Sequence, residues 1–167
     1  MRTAAYETIW PSRCAICDAY GPLICSRCAG RLPFIDTWQA CVRCGAPFGL
    51  TQCTECNRIV LQKLGLARFP FAWHASALLL TEETGRIVAL AKDGGEQRLA
   101  HYMAELIVPL VPPLIYGSAC VSYIPSSSAA RRRRSFDHSQ LLAQRGGQLL
   151  SLPVVPAFTP PRTADQR

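Results

Sequence analysis

The chain has 167 residues, nine of them cysteine, with 18 basic and 11 acidic side chains and a formal charge of +7. That length holds one domain or two small ones. With 49% apolar and 17% charged residues the chain can bury a core, which excludes wholesale disorder.

The first eleven residues, MRTAAYETIWP, carry Arg2 and Glu7 and no apolar run before Pro11, so no secretory signal is expected. The most apolar stretch, Leu106 to Ile124, is broken by Pro109, Pro112 and Pro113, which predicts a helix end, a turn and a strand instead of a membrane span. The expected location is the cytoplasm, where thiols stay reduced and clustered cysteines mark metal.

Eight cysteines form four Cys-x2-Cys pairs: Cys14 with Cys17, Cys25 with Cys28, Cys41 with Cys44, and Cys53 with Cys56. Two thiolates at that spacing sit on one tight knuckle, and two knuckles supply the four tetrahedral ligands of structural zinc. Four pairs therefore imply two structural zinc ions. Sequential pairing needs the shortest loops, and spacing alone leaves an interleaved arrangement open. Gly45 directly after Cys44 suits a backbone curling around a metal at positive φ. Between Cys14 and Cys56 only nine of 43 residues are Leu, Ile, Val or Phe, too few for a core, so metal is what folds this segment. Two zinc ions on eight thiolates lower the net charge of the loaded protein to about +3. Positive charge is concentrated in residues 126–167, which carry seven basic and two acidic side chains.

Beyond Cys56 the pattern becomes periodic. Phe71 to Leu80 reads as a strand, Thr81 to Gly85 as a turn, and Arg86 to Lys92 as a short helix ended by Gly94 and Gly95. A second helix is predicted over Glu96 to Val108, with Leu99, Met103, Leu106 and Ile107 on one face. Ser118 to Ile124 reads as a buried strand and Gln140 to Leu150 as a helix. This order suggests an α/β domain. Cys120 is expected as a buried thiol of that strand, and His74 and His101 as packing positions. The loop from Pro125 to His138 holds four serines, four arginines and an Asp-His pair at the carboxyl end of a strand, where open α/β sheets bind ligands. A solvated charge run, a phosphate-bearing ligand and nucleic-acid phosphates are the readings open to it.

The four knuckles, then Leu90-Ala-Lys92 near Gly94, a strand ending at Pro125, and Arg132-Arg-Arg-Ser-Phe-Asp-His138 before Leu141-Leu-Ala143, resemble the competence protein ComF family. Arg162-Thr-Ala-Asp-Gln166 resembles its Arg-x-Thr-x-x-Gln element. The resemblance implies a double zinc ribbon over residues 1–58 and a type I phosphoribosyltransferase-like α/β domain over 59–167. The arginine loop would then be the pyrophosphate loop, with Arg132, Arg134, Ser135 and Asp137 as candidate ligand-binding residues; Ser135 stands where the family has glycine. The implied ligand is phosphoribosyl pyrophosphate (PRPP) with magnesium, and the implied context is natural competence and DNA uptake, with single-stranded DNA or a DNA-uptake helicase as partner. Family members carry a further Asp-Asp-x-x-Thr-Thr-Gly-x-Thr loop for the ribose and 5-phosphate. The sequence here holds no such loop, so the expectation is a catalytically incomplete α/β domain. The alternative is a zinc-ribbon module that binds nucleic acid or protein without enzymatic activity.

Overall fold

A computed structural model describes residues 11–115 and 117–160. Residues 1–10, part of the segment read against a secretory signal, and the Arg162–Gln166 element lie outside the described residues. The chain divides into two compact units, one drawn from Met1–Arg31 and Thr81–Arg167 and the other Leu32–Leu80. Its described α-helices are α1 (Ser26–Ala29), α2 (Arg58–Lys63), α3 (Glu82–Lys92), α4 (Arg98–Ile107), α5 (Ser128–Arg134) and α6 (His138–Leu150). None of them is long and apolar enough to cross a membrane.

Neither predicted strand forms. Among the described residues β pairing is confined to three isolated bridges, Arg13 with Tyr20, Phe34 with Leu78, and a parallel one joining Val121 to Val154. Extended backbone becomes a strand only where a neighbour pairs along its length. In the 71–80 segment, pairing stops at the Ile35 N–H to Ala77 carbonyl and Leu79 N–H to Pro33 carbonyl bonds, each 3.0 Å. Around Val154, Pro153 has no N–H to extend the pairing on one side, and on the other the Ala157 N–H donates to the Val155 carbonyl and the Ser122 hydroxyl, so the bridge to Val121 does not propagate. The regular secondary structure of the described residues is therefore almost all helical, and the predicted α/β sheet is not seen among them.

The predicted turn at Thr81–Gly85 is instead the start of α3. Thr81 caps the helix by accepting from the Thr84 N–H, and the Thr84 hydroxyl accepts from the Thr81 N–H at 2.8 Å, a reciprocal capping box. Glu82 and Glu83 in the first turn complement the helix dipole.

Helix α4 packs chiefly on α6 and also on α3. The stripe it buries is Leu99, Ala100 and Ala104; Met103 and Leu106 are only half-buried and Ile107 is exposed, unlike the predicted face. Small residues decide this. Ala100 and Ala104 on α4, with Ala143 and Gly147 on α6, are buried where larger side chains would hold the backbones apart. A Cβ on Gly147 would lie 2.6 Å from Val154 Cγ2 and 2.9 Å from the Leu152 carbonyl oxygen, so α6 and the 152–154 segment touch backbone to backbone. Cys120 is exposed, not buried, and helps line an apolar cavity of about 480 Å³ beside α4 and α6. His74 and His101 are likewise exposed.

Candidate functional site

The eight paired cysteines gather into two groups, Cys14, Cys17, Cys25 and Cys28 in one and Cys41, Cys44, Cys53 and Cys56 in the other, with the sulfurs of each group within 4.8 Å of one another. Sequential pairing is thereby decided. Sulfur separations are 3.8 Å for Cys17 and Cys25, and 3.6 Å both for Cys41 with Cys56 and for Cys44 with Cys53. A tetrahedron of Zn–S bonds of about 2.3 Å puts its sulfurs about 3.8 Å apart, whereas a disulfide needs about 2.05 Å. The donor set therefore fits zinc.

Matching turns build the two centres. After the first pair, the Asp18 N–H donates to the Cys14 carbonyl at 2.8 Å; after the third, the Gly45 N–H donates to the Cys41 carbonyl at 2.9 Å. Both residues are left-handed, with φ of 60° at Asp18 and 69° at Gly45, as the sequence predicts for the glycine. The second and fourth knuckles instead lead into helices. Cys25 stands at the N-cap position of α1 without a side-chain capping bond, and Asn57 caps α2 by accepting from the Val60 N–H while its side-chain amide donates to the Thr54 carbonyl at 3.1 Å.

Electrostatics also call for a cation. Burial by itself would raise the Cys14 and Cys41 thiols, but backbone N–H groups aimed at their sulfurs outweigh it and bring each down to about 6. Cys28 goes the other way, pushed up to about 12 by burial and by its hydrogen bonds to the neighbouring cysteines. Four adjacent sulfurs cannot all ionise without a metal to offset their charge. Zinc supplies that charge.

The two centres belong to different units. The first lies in the unit that holds α3 to α6, where the Arg86 guanidinium donates to the Ile16 carbonyl and that of Arg98 to the Ser12 hydroxyl, both at 2.9 Å. The second lies within Leu32–Leu80.

The arginine segment is not the loop that the sequence suggests. Residues Ser128–Arg134 form α5, capped by the Ser127 side chain and ended by Ser135 at a left-handed φ of 65°. Arg131 and Arg132 are exposed. Arg134 is turned inward, its side chain 6% exposed, with Nε donating to Asp93 Oδ1 at 2.8 Å; Arg133 reaches the same oxygen at 3.7 Å. Burial would raise the Asp93 carboxyl, but the Arg134 hydrogen bond and charge hold it below the usual range. Asp93 was not legible as a partner of this segment, being 41 residues away in sequence.

Asp137 is buried and closes the segment. Its carboxylate caps α6 through the Ser139 and Gln140 N–H groups and accepts from the Ser126 N–H at 2.8 Å and hydroxyl at 3.1 Å. His138 Nδ1 stands 3.5 Å from the Ser126 hydroxyl, and burial, followed by the Arg134 charge, lowers its pKa. The structure thus brings Arg134, Ser135 and Asp137 into one clamped segment and leaves Arg132 facing outward.

Residues 5–60 match the family model described as the double zinc ribbon domain. No curated protein and no solved structure matches the chain. With two four-cysteine groups in zinc geometry inside that span, residues 5–60 are a zinc-binding double zinc ribbon domain.

Proposed function

We propose that the chain is a ComF-like protein of the cytoplasm, in which the double zinc ribbon accompanies a phosphoribosyltransferase-like region that binds a pyrophosphate-bearing ligand of the PRPP type in the setting of DNA uptake. The observation that carries this reading is the clamped arginine segment. Asp137 draws Ser126 and the start of α6 together, and α5 between them ends in four arginines. Arginine guanidinium groups match phosphate oxygens in geometry and charge. Ser135 adds support, because it takes a left-handed backbone at the position where the resembling family has glycine. The isolated bridge between Val121 and Val154 is parallel, the pairing direction that an α/β arrangement uses, and to that extent supports the reading. Magnesium would enter on the ligand's own phosphates, as it commonly does.

Isothermal titration of the zinc-loaded chain with PRPP and magnesium tests the reading. Binding that is lost in Arg132→Ala at unchanged melting temperature supports it. A chain that shows no such binding refutes it.

A second reading, a ribbon module that holds single-stranded nucleic acid or a partner protein without catalysis, is favoured by exposed aromatic side chains beside the second centre. Trp38 is 86% and Phe48 74% exposed, with exposed Arg43 between them in sequence. Rings and cations of this kind stack on bases. Salt-sensitive binding of single-stranded DNA that is lost in Trp38→Ala would support this reading.

A further inference from the structure

Asp93 is an acidic residue in a place that local chemistry disfavours. It is the C-cap of α3, where the carbonyl end of the helix dipole repels a carboxylate. Residues that break a local rule are expected where a function demands them. The compensation here is the ion pair with Arg134 at 2.8 Å, joined by Arg133 at 3.7 Å. One carboxylate thus occupies the guanidinium groups of two arginines, while it remains 53% exposed itself. An exposed carboxylate can turn to solvent with little penalty, whereas Arg134 at 6% exposure needs an anion beside it.

We propose that Asp93 is an internal anion that stands in for a phosphate group at Arg134 and Arg133 and must yield to an incoming pyrophosphate. The inference rests on the phosphate reading of the arginine segment. Asp93 is then a positioning residue acting through the two arginines: it keeps Arg134 folded inward and sets a threshold that only a multiply charged anion overcomes. A monovalent anion gains too little from the arginines to displace it.

The test is titration of inorganic pyrophosphate, and of chloride as competitor, into the zinc-loaded chain with Asp93→Asn and Arg132→Ala beside the parent. Asparagine is at home at a helix C-cap, so the variant is expected to fold; Asp93→Ser serves if it does not. The expected result is that Asp93→Asn binds pyrophosphate about three to ten times more tightly than the parent, as loss of a competing charged hydrogen bond allows, and that chloride competes better against the variant. A purely structural Asp93 predicts the opposite, weaker binding with a lower melting temperature, and that outcome overturns the proposal. Equal affinity also overturns it. If neither parent nor variant binds pyrophosphate, the phosphate reading itself fails and the proposal falls with it. A parent that binds, loses binding in Arg132→Ala and is unchanged by Asp93→Asn keeps the phosphate reading and rejects only the role of Asp93.

Discussion

Asp137 holds Ser126 at two points, the backbone N–H at 2.8 Å and the hydroxyl at 3.1 Å, across eleven residues that include all of α5. The same carboxylate caps α6. Asp137→Ala removes a cap and leaves the Ser126 N–H without its acceptor, and together these should destabilise the unit by about 2 to 3 kcal/mol. Urea unfolding followed by helical circular dichroism measures it. A loss below about 0.5 kcal/mol, the size of an ordinary surface change, would show that the clamp is dispensable.

Gly45 predicts a different failure. Its φ is 69°, and an added Cβ would lie 2.9 Å from His74 Nδ1 and 3.1 Å from the Ala75 Cα. Gly45→Ala should strain the third knuckle by about 1 to 2 kcal/mol from its left-handed backbone alone. The expected outcome is weaker zinc retention at Cys41, Cys44, Cys53 and Cys56 in a chelator competition, with the other centre unaffected.

The two centres should also differ in what they hold up. Cys28→Ser removes a ligand from the unit that includes α3 to α6, and Cys56→Ser removes one from Leu32–Leu80. Each variant is expected to bind one zinc ion instead of two in native mass spectrometry. Cys28→Ser should lower the melting of most of the helical signal, which comes from α3 to α6, whereas Cys56→Ser should affect only the small share from the six-residue α2, since metal binding is folding energy for the unit that contains it.

His138 sets a pH dependence. Burial and Arg134 lower its pKa below the ordinary 6.5, so the unfolded chain takes up the proton first. The stability that neutral His138 contributes is therefore present above pH 6.5 and lost as pH falls through the lowered value. His138→Gln should flatten the fall in melting temperature between pH 7 and pH 5. An unchanged slope would assign that fall to other groups.

Ser135 should respond in the opposite sense to Gly45. It is a serine at a φ of 65°, where glycine is free of the Cβ clash. Ser135→Gly is expected to stabilise the end of α5 by about 0.5 to 1 kcal/mol, read as a rise in the urea midpoint at constant slope.

The sequence by itself determined the features that depend on short separations. A Cys-x2-Cys pair is one turn of backbone, so four pairs declare two metal centres before any fold is known, and the glycine after Cys44 declares its left-handed turn. Helices α4 and α6 were legible from apolar periodicity, to within a residue or two at their ends. The start of α3 was misread because a threonine pair enclosing two glutamates looks like a turn until the reciprocal cap closes. Only the tertiary structure decided which knuckles share a metal, where the extended segments fail to pair, and that α4 buries its alanines instead of its larger side chains. It alone turned Arg134 toward Asp93 and committed Asp137 to Ser126. The reason is physical: coordination turns and helix caps are settled within a few residues of chain, whereas an ion pair across 41 residues exists only once the helices carrying its partners have packed.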